Sequence, residues 1–336
     1  MEQKNEYTYL KVAAGQGVYQ WIDYNGNGVE ELDEFEIAKY KDEADYIRLW
    51  RSSDTYVKTF NNQFVGSLVL RPSVVWRNQS GWKKFLARFA NTCTYRSLYK
   101  NTLADIAGMF NPFYINDNDT NVVTASSTFR NVFSFNQISQ IWGMDVIYHD
   151  YQVKSLTVNG FESSDIYSCS VSERLNIKQM FTLNASYENG WNIRRSDYMS
   201  KNYKIDCNKV NAMLVYQYKN SFKMSVSYSY ADKANNKGEE TSVSHTAGIE
   251  ADYRILHRGN IMLKANYCNI KFKGNTNTSA AYEMLEALQP GHNMILDAVF
   301  QITLWQNMQL NATYQGRISE GVKMKHVAGV EIRAFF

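Results

Sequence analysis

The densest set of oxygen ligands in this 336-residue chain runs from Asp23 to Glu34, as Asp23-Tyr24-Asn25-Gly26-Asn27-Gly28-Val29-Glu30-Glu31-Leu32-Asp33-Glu34. Its spacing matches the calcium-loop pattern D-x-[DN]-x-[DN]-G-x5-E. The oxygens would come from Asp23, Asn25, Asn27, the main-chain carbonyl of Val29, Glu31 directly or through water, and Glu34 as a bidentate carboxylate; Gly28 permits the sharp turn. Two asparagines lower the ligand charge, so the expected affinity for Ca2+ is modest, about 10⁻⁴ to 10⁻³ M. The expectation is a structural clip rather than a switch. Glu30 sits where paired loops of this kind carry an apolar residue, and no second loop is present to pair with this one. The competing reading is an Asn-Gly-rich turn before an acidic helix start, which needs no metal.

Other chemistry-bearing residues are dispersed. His149, His245, His257, His292 and His326 lie in separate segments, and no G-x-S-x-G elbow, H-E-x-x-H pair or glycine-rich phosphate loop occurs. His245 lies near Ser244 and Asp252, but it alternates onto the side that carries Val243 and Ala247. The expectation is a chain without enzymatic activity. Cys93, Cys169, Cys207 and Cys268 have no metal-ligand spacing and read as unpaired packing residues. Asn116 to Asp119 reads as a solvated loop tip. A net charge of +3 without a basic run gives no reason to expect a nucleic-acid partner.

The elements that position these residues are strands. From Val322 the chain alternates Met324, His326, Ala328, Val330, Ile332, Ala334, Phe336 against Lys323, Lys325, Val327, Gly329, Glu331, Arg333, Phe335. Period-2 alternation marks a strand with one apolar and one polar face. The same rule holds for Met308–Gln315, Met294–Leu304, Ile261–Tyr267, Val243–Ile255, Phe222–Tyr230 and Phe181–Glu188. Strands of about 10 residues with alternating faces are the signature of a transmembrane β-barrel, whose apolar face meets lipid. The predicted fold is therefore all-β, an antiparallel up-and-down transmembrane barrel with about 12 to 14 strands in this chain, open to membership of a larger barrel. No run approaches the roughly 18 apolar residues of a spanning helix. The 24 tyrosines suit the aromatic girdles at the two membrane interfaces.

Connections alternate in length. Tight turns are expected near Asn176–Gln179, Lys219–Ser221, His257–Asn260 and Gln306–Asn307, and longer ones over Asn189–Tyr203, Asp232–Thr241, Lys273–His292 and Arg317–Gly321. Short turns on the periplasmic side and longer loops outside are the asymmetry of outer-membrane barrels. Residues 1–54 read as a periplasmic or loop segment holding the calcium loop and a short acidic helix over Leu32–Tyr46; residues 55–336 read as the barrel. A second helix is predicted over Ala281–Leu288, stopped by Pro290-Gly291. Met1–Thr8 has no secretory signal pattern, so the expectation is the C-terminal part of a longer exported precursor.

Three segments carry a resemblance: Tyr19-Gln20-Trp21-Ile22-Asp23 through Asp45-Tyr46-Ile47; Ala281 through Gly291; and Ile332-Arg333-Ala334-Phe335-Phe336. Together they resemble the C-terminal region of large, poorly characterised outer-membrane proteins of the Bacteroidota type. Ala287 and Phe335 stand where that pattern has glycine and leucine. The resemblance implies a longer parent with an export signal and insertion by the barrel-assembly machinery, which would read the terminal Phe336.

Two functions are in view. In the first, an integral barrel of the cell outer membrane serves as a pore, transport or envelope-assembly component. Val330, Ile332, Ala334 and Phe336 then form the membrane-assembly signal, and Glu250, Arg254, Lys264, Asp297, Glu331 and Arg333 face the lumen. Its partners are outer-membrane lipid, the assembly machinery and further envelope proteins. In the second, a secreted or surface-attached calcium-binding β protein acts as an adhesin or glycan binder. A soluble sandwich would bury the Phe300, Ile302, Leu304 row inside protein, and a membrane barrel would turn it to lipid.

Overall fold

A computed structural model describes residues 2–102, 121–178, 180–255, 258–305 and 307–334. Phe335, Phe336, His257 and the Asn116–Asp119 segment lie outside the described residues, and with them the expected role of the terminal aromatic.

Four strands form an N-terminal sheet: β1 (Glu2–Lys11), β2 (Tyr19–Trp21), β3 (Phe35–Ile37) and β4 (Tyr46–Val57), in the order β1-β4-β2-β3. Thirteen more form one antiparallel meander in strict sequence order: β5 (Phe60–Leu70), β6 (Phe89–Asn101), β7 (Val122–Phe135), β8 (Trp142–Thr157), β9 (Gly160–Ile177), β10 (Phe181–Ser196), β11 (Tyr203–Tyr218), β12 (Phe222–Asn235), β13 (Thr241–Ile255), β14 (Gly259–Lys273), β15 (Gly291–Trp305), β16 (Met308–Ser319) and β17 (Val322–Ala334). Thirteen strands fall inside the expected range, and the up-and-down order is the expected one. Short helices α1 (Ser73–Trp76) and α2 (Trp82–Leu86) join β5 to β6, and α3 (Ser279–Leu285) lies between β14 and β15.

Most wall strands hold 12 to 18 residues, whereas about 9 to 11 suffice to cross a bilayer. The surplus explains one correction. Asn189–Ser196, expected as loop, continues β10, because it pairs residue by residue with β9 and β11. Gly190 makes that polar stretch compatible with the ladder: a Cβ there would lie 2.2 Å from the Tyr167 carbonyl oxygen. Polarity marked a strand leaving the membrane and not a loop.

The predicted helix over Leu32–Tyr46 is also corrected. Leu32–Glu34 and Lys41–Glu43 are single 3-10 turns, with β3 between them. Phe35 stacks on Tyr9, with ring centroids 3.9 Å apart, while Glu36 points to the opposite side of β3. Alternate burial of an aromatic and a carboxylate is a strand solution, and the acidic composition misdirected the helical reading. The second helix exists but begins at Ser279, capped by the Thr278 hydroxyl, which accepts from the Ala281 amide. It stops ahead of Pro290, where Glu286 and Ala287 turn left-handed at φ 55° and 59°.

The wall has two unlike faces. On β12, β13 and β14 the residues Val226, Ile249 and Leu263 are 47, 51 and 54% exposed, although their strands sit inside the sheet. Phe222 and Tyr230 bracket this row on β12. They are eight residues apart, about 27 Å along the strand and about 20 Å along the membrane normal at a tilt near 40°. The opposite face carries the polar residues and, at the long-loop end, α3 and the N-terminal sheet. An apolar face with no second sheet against it among the described residues, and a polar face turned inward, form the wall of an outer-membrane β-barrel. The Leu304 side chain, 50% exposed, follows the lipid-facing alternative and not the soluble sandwich.

Candidate functional site: a sheet seated on the polar face of the wall

The N-terminal sheet is held at the long-loop end by buried charge. Glu36, 3% exposed, accepts from Arg194 Nη1 of β10 at 2.9 Å and from the Ser279 hydroxyl of α3 at 2.5 Å. Lys201, in the β10–β11 connection and 1% exposed, donates to the Phe35 carbonyl at 2.9 Å. Burial lowers the Lys201 ammonium to about 8, against the pull of Glu36. A second anchor lies nearer β17: Arg317 meets Asp42 at 3.1 Å and Glu43 at 2.5 Å, under the Tyr40 ring 3.7 Å away, and Lys325 reaches Glu43 at 2.8 Å. A third forms around Arg48. Its guanidinium lies 4.2 Å from the Tyr7 ring centroid and 5.1 Å from that of Tyr19, and it reaches Glu162 of β9 at 3.5 Å.

Helix α3 completes this cap. Ala281, Leu285 and Leu288 pack with Cys268 and Ile270 of β14, while Ala280 and Met284 pack with Tyr203 and Ile205 of β11. The Tyr282 hydroxyl donates to the Ile37 carbonyl at 2.9 Å. Sequence reasoning found the helix but missed the cluster of Glu36, Arg194, Lys201 and Ser279. The signal available was the alternation Glu34-Phe35-Glu36-Ile37 through β3, carboxylates against apolar side chains, which a search for contiguous motifs passes over.

The six polar residues singled out in the sequence all lie on the face that carries this cap. Lys264 stands directly opposite Glu250 on one side and Asp297 on the other. Asp297 accepts from Gln315 Nε2 at 2.8 Å. Arg254 begins a row through Asn260, Gln301 and Asn311 to Glu331, and Glu331 pairs with Arg333 at 2.9 Å. Below the cap, a concavity of about 520 Å³ is lined in part by Ser172, Arg174, Asn184, Ser186, Asn211 and Ser227, all from the same face. Val330, Ile332 and Ala334 lie on the other face, opposite Ala312, Leu310 and Met308.

In the Asp23–Glu34 loop, Asp23 accepts from the amides of Gly26, Asn27 and Gly28, at 2.6, 3.2 and 2.9 Å. Gly26 and Gly28 have φ of 72° and 71°, the left-handed turns such a wrap requires. The Asn25 and Asn27 oxygens accept from the amides two residues on, and both side-chain amides turn to Glu31. Glu34 is drawn inward instead, accepting from Trp21 Nε1 at 2.8 Å and the Tyr24 amide at 3.2 Å. Among the described residues, no three acidic, histidine or cysteine side chains converge in a metal-holding group.

The histidines make a repeated arrangement. Tyr228 and His245, Tyr267 and His292, and Tyr314 and His326 each share a hydrogen bond between the phenol oxygen and Nδ1, at 2.8, 2.6 and 2.8 Å. In every case the histidine sits two residues from the tyrosine's direct partner on the next strand. All three pairs lie on the outward face. His245 therefore does not point toward Asp252, which lies on the inward face.

No family model and no curated protein matches the chain. Among solved structures, the FrpB iron transporter from Neisseria meningitidis (F5-1 variant, apoprotein form) is 10% identical, with a TM-score of 0.48 over 98% of this chain and 57% of that one. CdiB from Acinetobacter baumannii is 10% identical, with a TM-score of 0.40 over 100% of this chain and 60% of that one. A loop L8 deletion mutant of OmpT, an outer membrane protein of Vibrio cholerae, is 6% identical, with a TM-score of 0.38 over 82% of this chain and 98% of that one. The chain thus spans little more than half the length of the FrpB transporter. The expectation of a chain without enzymatic activity is corrected: OmpT stands among the similar structures beside transporters, and the exclusion is withdrawn. It rested on contiguous motifs, which do not register a site assembled across several strands.

Proposed function

We propose that the chain is the C-terminal part of a larger outer-membrane barrel of the Bacteroidota type, and that the barrel passes solutes or polypeptides or serves envelope assembly. The N-terminal sheet and α3 act as its cap. The observation that carries this reading is the seating of a charged, hydrogen-bonded sheet on the polar face while the other face leaves Ile249 and Leu263 half exposed. Polar rows through Lys264 and Glu331 would line the passage below. The barrel-assembly machinery would insert the chain by reading its last strand. Calcium, at about 10⁻⁴ to 10⁻³ M, would clip the Asp23–Glu34 loop on the outer side of the cap, held by Asp23, Asn25, Asn27, the Val29 carbonyl and Glu31, with Glu34 recruited from Trp21.

The test is an immunoblot of native cell fractions with an antibody to residues 317–323, comparing boiled with unboiled samples. A heat-modifiable outer-membrane band well above 38.9 kDa is expected. A soluble band at the chain's own mass would sink the proposal and favour the secreted calcium-binding adhesin.

A further inference from the structure

Among the described residues the two edges of the wall are β5 and β17, and they run the same way. Each odd-numbered strand from β5 to β17 begins at the long-loop end and finishes at the short-turn end, because neighbouring strands are antiparallel and successive in sequence. Both edges are long, at 11 and 13 residues, and neither contains proline. They carry the exposed side chains Val65, Leu68 and Leu70 on β5 and Val322, Val330 and Ile332 on β17. Natural proteins blunt or cover edges of this kind. In lipid the requirement is stricter, since no water is there to satisfy an unpaired backbone amide or carbonyl.

What covers the edges is constrained by direction. Joining β5 to β17 would create a parallel seam in an otherwise antiparallel sheet. A second copy fails for the same reason: with its long loops on the same side of the membrane, its own β5 and β17 also run downward, so every seam between copies is parallel. An antiparallel closure needs a block whose two outer strands both run upward. Such a block contains an odd number of strands, which brings the total to the even count of bacterial single-chain barrels.

The position of the N-terminal sheet shows where one of those strands would deliver the chain. Glu2 pairs with Val57, and only Lys58 and Thr59 separate β4 from β5. Residue 2 therefore lies near the long-loop end of β5, where an upward-running neighbour of β5 would finish. Residues 2–59 then have the topology of an elaborated outer loop between that strand and β5, folded inward onto the polar face.

We infer that β5 and β17 are paired in the native membrane by an odd number of antiparallel strands from polypeptide outside residues 1–336, with polar residues inward and apolar residues outward, belonging to the same parent protein. The inference rests on the reading of this chain as part of a longer barrel, and it adds the parity and direction of what is missing from the wall.

The test uses the full-length parent in outer membranes, with Cys93, Cys169, Cys207 and Cys268 replaced by alanine. Cysteine pairs are placed at Gln63, Val65 or Ser67 on β5 and at Val327, Gly329 or Glu331 on β17, all on the inward face, and oxidised. A control pair, Asn311→Cys with Glu331→Cys, spans directly opposite positions of β16 and β17. The expected result is cross-linking of the control and none between β5 and β17, together with an even strand count and two antiparallel seams in a cryo-electron microscopy map. A β5–β17 cross-link with the control intact, or an even number of added strands, would overturn the inference while leaving the membrane barrel standing. A map in which another polypeptide covers either edge would also overturn it. Loss of the parent from the outer membrane, with the unsubstituted protein equally absent, would overturn the barrel reading itself.

Discussion

Arg194 of β10 and Glu36 of β3 meet at 2.9 Å across 158 residues of sequence, and this pair joins the N-terminal sheet to the barrel wall. Glu36 is nearly inaccessible while Arg194 keeps about a fifth of its side chain exposed. Removing one partner leaves the other charge buried without compensation, which is the costly way to break such a pair.

Glu36→Ala is therefore expected to weaken seating of the cap by about 3 to 5 kcal/mol. The measurement is limited trypsin cleavage at Lys39 and Arg48 in membrane-inserted protein. The variant should be cut much faster there while the wall strands stay protected; equal cleavage rates in variant and wild type would show that the pair does not hold the cap.

Lys201 gives the cap a pH dependence with a definite sign. Its folded value, near 8, lies below the ordinary lysine value of 10.5, so the folded state binds fewer protons than the unfolded one between those limits. Seating should strengthen as pH rises from about 8 toward 10, by on the order of 1 to 3 kcal/mol, and the penalty is fully present below 8. Lys201→Met should flatten that rise, read as cap protection from proteolysis at pH 7.5 and 9.5.

The lipid-facing row can be tested at the middle of the sheet. Ile249→Arg places a charge among Val226 and Leu263 and is expected to cost about 2 to 4 kcal/mol near mid-membrane. Heat-modifiable protein in the outer membrane should fall sharply. Ser227→Arg, one residue on from Val226, facing inward and opposite Gly248 and Met213, should leave assembly near normal, and equal loss in both variants would mean the faces are misassigned.

The C-terminus of α3 holds a removable strain. Ala287 has φ 59°, which favours glycine, and it follows Glu286 at φ 55°. Ala287→Gly is expected to stabilise the cap by up to about 1 kcal/mol, observed as a higher midpoint for cap release on heating. Glu286 should tolerate glycine less well, because its carboxylate also binds Lys233 at 2.8 Å.

Calcium has a local optical readout. If the cation recruits Glu34, Trp21 loses the hydrogen bond that its indole now donates at 2.8 Å. Titration should change tryptophan emission with a midpoint of about 10⁻⁴ to 10⁻³ M, and the change should vanish in Trp21→Phe and Asp23→Ala. Emission unaltered up to 10 mM calcium would leave the loop as a metal-free turn, where ~10 mM is ten times the weakest expected constant.

Strict alternation in Phe222–Tyr230, Val243–Ile255 and Met308–Gln315 was enough to read an up-and-down meander of about 12 to 14 strands and which residues share a face, because side-chain direction in a strand depends only on residue parity; the count of thirteen came from the structure. Helix α3 was legible for a similar local reason, an apolar run over Ala281–Leu288 stopped by Pro290-Gly291, while its true start at Ser279 and the Thr278 cap came from the structure. The cap was not: Glu36, Arg194 with Lys201, and Ser279 come from three distant segments, and only the paired register of β9, β10 and β11 with the long-loop end brings them together. Continuation of β10 through Asn189–Ser196 and replacement of the Leu32–Tyr46 helix by β3 were likewise decided by neighbours, since a polar or acidic segment becomes a strand when partners on either side satisfy its backbone hydrogen bonds.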